Sequence, residues 1–123
     1  MNSSTTPERR AVLYVCAAPS ESKPDLPAES AEEEGRTFAG EHSLAIVEVI
    51  TDDFGERIPN RRPGWQQVME LVKTGAVTHV VTRWPNSIST DEDQRYTATG
   101  IVKGHGVGVC YTWKPLSVLG SHV

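Results

Sequence analysis

The sequence predicts an α/β fold: a three-layer domain with a mostly parallel sheet of four to five strands and helices on both faces. Three observations predict it. Ala11-Val12-Leu13-Tyr14-Val15-Cys16 is a continuous apolar run followed by turn residues; a run that short and that apolar reads as a strand buried on both faces. Behind Pro63, the residues Trp65, Val68, Met69 and Val72 recur at i, i+3, i+4 and i+7, the period of an amphipathic helix. Strand-like and helix-like stretches then alternate along the chain as β-α-β-α-β-α-β, and such alternation implies parallel strands joined by helical crossovers.

The elements follow in order. Residues 1–10 are polar and rich in Ser and Thr, so a disordered start is expected, with a single domain over 11–123. The first strand is Ala11–Cys16. Three prolines within Pro19–Pro27 mark a loop. A helix is expected over Ala28–His42, with Ala31, Gly35, Phe38 and Ala39 on one small apolar face and Glu32-Glu33-Glu34 near its first turns, where the helix dipole favours negative charge. Leu44–Ile50 reads as the second strand and Thr51–Arg62 as a polar loop. Pro63 suits the first position of the second helix, and Gly75 ends it. Val77–Thr82 is the third strand. Ser89-Thr90-Asp91-Glu92 has the form of a capping box, predicting a helix from about Thr90 to Lys103. Val107–Trp113 is the fourth strand, ended by Pro115, and 116–123 could add a short edge strand.

The chain has 123 residues and a formal net charge of −4, with 37% hydrophobic and 23% charged residues. That is one domain of ordinary soluble composition. An acidic balance argues against binding nucleic acid chiefly through phosphates. Cys16 and Cys110 are too few for a disulfide framework. His42, His79, His105 and His122 show no ligand spacing with them, so no metal site is expected. No apolar run approaches ~18 residues, so no membrane span is expected. The polar first ten residues lack a signal core, and a cytoplasmic location is the expectation.

In a parallel sheet of this kind, ligands bind at the carboxyl ends of the strands. Those ends are Cys16-Ala17-Ala18, Thr51-Asp52-Asp53 and Arg83-Trp84-Pro85-Asn86. No GxGxxG follows any strand and there is no P-loop, so nucleotide binding by glycine turns is unsupported and no cofactor is expected. Asp52-Asp53 with Lys114-Pro115 has a distant likeness to a phosphorylation receiver domain. That domain needs its acidic pair after the first strand and an aspartate after the third, and neither is present.

A wider likeness covers nearly the whole chain. Ala11–Val15 resembles the first strand of serine recombinases, the resolvase and invertase family, which ends Tyr-x-Arg-x-Ser. Asp52–Trp65 resembles their Asp-Asp-Gly-x-Ser-Gly stretch followed by Arg-Pro-Gly, and Val80–Asp91 their segment Leu-Asp-Arg-Leu-Ser-Arg-Asp. Arg62-Pro63-Gly64 leading into an amphipathic helix is the most specific piece. The resemblance implies strand order 2-1-3-4, with Ala11–Cys16 flanked by Leu44–Ile50 and Val77–Thr82. It also implies a set of site positions. The first-strand tyrosine is Tyr14, but the following arginine is Cys16 and the nucleophilic serine is Ala18. The acidic loop residue is Asp53, followed by Glu56 and Arg57 where the family has Ser and Gly. The Arg-Pro-Gly arginine is Arg62. The Asp-Arg pair is Asn86-Ser87, and the next arginine is Thr90.

The chemistry makes these departures costly. The family joins DNA through a phosphoserine linkage, so a hydroxyl must attack phosphorus, and alanine has none. Preplaced guanidinium forks stabilise the charge spread over the phosphoryl oxygens, and losing one such contact typically costs about 10²–10³ in rate. The expectation is therefore a pseudoenzyme: a recombinase-like domain reused for protein–protein interaction, self-association or regulation, with weak or no nucleic-acid binding. Two alternatives stand beside it. One is a divergent recombinase domain still active in DNA strand cleavage and joining, with Ser20 or Ser22 as nucleophile. The other is a phosphate or nucleic-acid binding module lined by Arg57, Arg62 and Arg83. Cys16, at a buried strand end without a nearby histidine, is expected to be inert. Tyr14, Asp53 and Arg62 also have structural explanations: strand packing, a turn cap, and a pairing of Arg62 with Asp52 or Asp53. Trp84, with Arg83 and Trp113, is expected to be solvent-accessible and part of a partner surface; the alternative packs Trp84 over the core beside Trp65.

Overall fold

A continuous apolar strand must be covered on both faces, and the computed structural model, which describes residues 9–113, places one at the centre of the sheet. Strand β1 (Arg10–Val15) is buried from Ala11 onward. It pairs in parallel with β2 (Ala45–Thr51) on one side and with β3 (His79–Thr82) on the other, so that Leu13 lies opposite both Val49 and Val81. Strand β4 (Gly108–Tyr111) adds to the far side of β3, giving a parallel four-stranded sheet of order β2-β1-β3-β4. The expected architecture, strand order and central strand are thus all present. Of the start expected to be disordered over 1–10, Arg10 instead begins β1, while residues 1–8 and the edge strand expected in 116–123 lie outside the described residues.

The period-two alternation of β1 divides the core. Ala11, Leu13 and Val15 face helix α1 (Leu26–Glu41), which contributes Ala31 and Ala39. Gly35 sits where α1 crosses the sheet, and a Cβ there would run into Leu13 Cδ1; the glycine sets how close the helix can lie. Val12, Tyr14 and Cys16 face the opposite layer, built by α2 (Pro63–Lys73) and α4 (Glu92–Gly104). The predicted stripe Trp65, Val68, Met69 and Val72 is the buried face of α2.

Four local expectations are corrected. Helix α1 begins at Leu26, with proline in its first turn, so Glu32-Glu33-Glu34 lie beyond that turn and Glu29 is its acidic residue. The capping box does not form. Asp91 caps α4 instead, its Oδ1 accepting from the Gln94 amide at 3.0 Å. Ser89 Oγ is used elsewhere: it donates to the Arg57 carbonyl at 2.5 Å and accepts from the Asp91 amide at 3.0 Å. A one-turn helix, α3 (Pro85–Ile88), occupies the stretch read as a plain strand exit. Finally, β4 ends at Tyr111, so Trp113 lies just beyond the strand. No helix among the described residues is long and apolar enough to cross a membrane.

Candidate functional site at the strand ends

Strand alternation carries Tyr14 and Ile50 to the α2 side of the sheet, and the next residue of that parity along β2 is Asp52. Its carboxylate turns under the start of α2. Oδ1 accepts the Gly64 amide at 2.7 Å and Oδ2 the Trp65 amide at 2.8 Å. A helix start carries unsatisfied N–H groups and partial positive charge, and a carboxylate satisfies both. The approach is close enough that a Cβ on residue 64 would lie 2.7 Å from the Asp52 carboxyl, so the glycine of Arg62-Pro63-Gly64 has a steric reason.

Tyr14 Oη donates to the same Asp52 Oδ2 at 2.6 Å and accepts from Arg62 Nη1 at 3.2 Å. The hydroxyl therefore stands between a buried carboxylate and a buried guanidinium. Arg62 is 3% exposed. Its Nη1 also donates to the Ser87 carbonyl at 2.7 Å and its Nε to the Glu56 carbonyl at 2.7 Å. The expected direct pairing of Arg62 with Asp52 or Asp53 is absent: among the described residues no carboxylate oxygen lies within ion-pair distance of it, and the link to Asp52 runs through Tyr14. The Tyr14 ring meets Trp65 edge to face at 5.2 Å between centroids. Burial pushes the Tyr14 hydroxyl well above its ordinary pKa, and its bond to Asp52 adds to the rise; Arg62 opposes it. Burial likewise raises the Cys16 thiol, with Arg62 opposing, so thiolate, the nucleophilic form, is disfavoured there.

The other candidate residues separate around this centre. Ala18 is exposed in the loop after β1, with Ser20 partly exposed and Ser22 exposed further along it. Asp53 is exposed; its carbonyl accepts the Cys16 thiol at 3.7 Å, and the capping role expected of it falls to Asp52. Ser87 is buried and meets Arg62 through its carbonyl, whereas Thr90 is exposed. Asn86 Oδ1 accepts from Arg95 Nη1 at 3.2 Å, and the same nitrogen donates to the Ser89 carbonyl at 3.1 Å. Arg95 escaped the sequence reading because it sits mid-helix among polar residues, with no motif around it. Arg57 is exposed. Arg83 turns toward α1, where Nε and Nη2 grip Glu34 at 2.8 and 3.0 Å and the guanidinium lies 4.2 Å from the Trp113 ring centroid. Arg62 and Arg83 are thus each committed to separate protein partners. Trp84 is 42% exposed and leans on Trp113 at 5.5 Å, away from Trp65.

No protein-family model matches the chain, and no curated protein matches it. Solved structures do. The C-terminal catalytic domain of ISC1926 TnpA, an IS607-like serine recombinase, superposes with a TM-score of 0.73 at 19% identity, over 85% of this chain and 68% of that one. The N-terminal catalytic domain of TP901-1 integrase gives 0.68 at 12% identity, over 85% and 77%. A resolvase family site-specific recombinase from Streptococcus pneumoniae gives 0.69 at 18% identity, over 94% and 85%. Identities this low speak to architecture alone, and the architecture is clear: the chain has the fold of serine-recombinase catalytic domains.

Proposed function

We propose that this domain keeps the recombinase fold without the strand-cleaving chemistry and acts by binding a protein partner. One observation carries the reading: at the strand ends, the position that the resemblance assigns to the nucleophile is Ala18, and the retained arginine, Arg62, is buried with its guanidinium engaged by Tyr14, Glu56 and Ser87. A phosphoryl centre needs an attacking oxygen and guanidinium groups free to meet equatorial oxygens. The Nε and Nη1 of this buried fork are bonded to a hydroxyl and two carbonyls, and turning those nitrogens to a phosphate would break bonds each worth about 1.5–3 kcal/mol to a charged group.

The test is incubation of the purified protein with DNA duplexes bearing recombinase-type sites, followed by denaturing electrophoresis. No covalent protein–DNA band is expected. A band that Ser20→Ala or Ser22→Ala abolishes would overturn the reading and name the nucleophile.

A further inference from the structure

Helix α1 carries Glu29, Glu32, Glu33, Glu34 and Glu41 against the single Arg36. Arg36 pairs with Glu32 at 3.0 Å, and Arg83, reaching up from the end of β3, pairs with Glu34. Glu29, Glu33 and Glu41 are exposed and have no ion-pair partner among the described residues. Between this face and the residues after β4 runs an open groove of about 390 Å³, lined by Glu33, Glu34, Phe38 and Glu41 of α1 and by Thr112 and Trp113 beyond β4. Trp113 is 41% exposed and in ring contact with the equally exposed Trp84. Thr112 Oγ1 is shielded from water and has no hydrogen-bond partner among the described residues.

We infer that this groove and the tryptophan pair beside it dock a basic, lysine- and arginine-rich polypeptide segment. The inference rests on the protein-binding reading above and gives the partner its chemistry. Arg83 Cζ stands over the Trp113 ring at 4.2 Å from its centroid, so this ring takes a cation on its face, and a second cation would find the unpaired carboxylates along the same groove. Glu33 and Glu41 are eight residues apart on one helix, about 12 Å along its axis. An extended chain covers that in roughly four residues, so side chains at i and i+4 of a strand-like segment can meet both. A buried hydroxyl without a partner costs about 1–3 kcal/mol, and a main-chain N–H laid along the groove would give Thr112 one after a small rotation. Phosphate-bearing partners are opposed by the carboxylates. So is a second copy of this chain meeting it face to face, because it would present the same glutamates.

The experiment uses the full chain and a fluorescein-labelled peptide alternating lysine with glycine, followed by anisotropy and by tryptophan emission. Saturable binding that weakens as salt rises is expected. Glu33→Lys with Glu41→Lys should weaken it about tenfold, Trp113→Ala should weaken it and abolish the emission change, and Glu70→Lys, on the opposite layer, should leave it unchanged. Absence of saturable binding, or equal loss in the Glu70 variant, overturns the inference; so does a mass measurement showing that the groove is closed by a second copy. A protein that forms no DNA adduct yet ignores the peptide would sink the docking surface and leave the non-cleaving reading standing.

Discussion

Replacing Tyr14 by phenylalanine removes one oxygen and keeps the ring that packs edge-on against Trp65. That oxygen links two buried charges, donating to Asp52 at 2.6 Å and accepting from Arg62 at 3.2 Å. Asp52 keeps two backbone amides and Arg62 keeps two carbonyls, so neither group is stripped bare. A hydrogen bond to a buried charge is worth about 1.5–3 kcal/mol. Counting the short bond in full and the long one in part gives a loss of about 2–4 kcal/mol. With unfolding entropy near 2.1 cal/mol/K per residue, a domain of this size should melt about 8–15 °C lower. Circular dichroism melts and urea titrations at pH 7 would measure it, with the midpoint shifting at unchanged slope. The pH dependence supplies a second reading. Burial, then the bond to Asp52, raises the folded-state pKa of Tyr14. The folded state therefore holds the proton more tightly than the unfolded chain. The resulting stability is complete below the ordinary tyrosine value of about 10 and is lost as pH climbs above it. The difference between wild type and variant should accordingly narrow above pH 10. Tyr111, Cys16 and Cys110 are also raised by burial, but they are present in both proteins. A melting loss under about 2 °C, or parallel alkaline slopes, would refute the idea that the hydroxyl joins the two charges.

Two further outcomes are expected. Gly64→Ala places a methyl 2.7 Å from the Asp52 carboxyl and should destabilise the fold by about 1–3 kcal/mol; a neutral result in urea titration would show that α2 can shift without cost. Duplex DNA should bind no more tightly than about 10⁻⁴–10⁻⁶ M near physiological salt, given a net charge of −4 and the engaged Arg62 and Arg83; submicromolar, sequence-dependent anisotropy changes would contradict it.

The fold was legible wherever burial fills a whole period. The β1 run and the α2 stripe have no polar interruption on their buried faces, so their patterns allow one answer. Boundaries failed where a short polar residue had two possible bonds. Ser89 could cap α4 or hold the Arg57 carbonyl, and the tertiary contact won. The site was legible as a set of positions but not as a geometry. Asp52 and Asp53 are adjacent and chemically identical, and only strand parity separates them: the residue two past Ile50 points to the α2 layer, the other to solvent. That signal was available in the alternation of β2. Arg62 and Arg83 are both arginines at strand ends, yet one enters the core and the other crosses to α1. Their directions depend on acceptors up to 49 residues away in the chain, which no local pattern records.

The positions where the resemblance holds and where it departs divide by burial only in part, and the two buried matches are the ones bonded to each other. Of the matching side chains, Tyr14 and Arg62 are buried and bonded to each other, whereas Asp53 is exposed. Of the departing positions, Ala18 and Thr90, where hydroxyl and guanidinium would be expected, are exposed, whereas Cys16 and Ser87 are buried. A side chain that closes a buried polar network resists replacement because its charged partners each lose a hydrogen bond worth about 1.5–3 kcal/mol. An exposed catalytic group has no such anchor, and most surface substitutions change stability by only about 0.5 kcal/mol. If selection on strand cleavage were relaxed, the exposed groups could be lost freely while Tyr14, Asp52 and Arg62 stayed to hold α2 on the sheet. Under that account, returning a serine at position 18 should leave melting nearly unchanged and still yield no DNA adduct, because Arg62 remains bound to Glu56 and Ser87. An adduct formed by Ala18→Ser alone would show that the guanidinium is free to serve a phosphoryl centre after all.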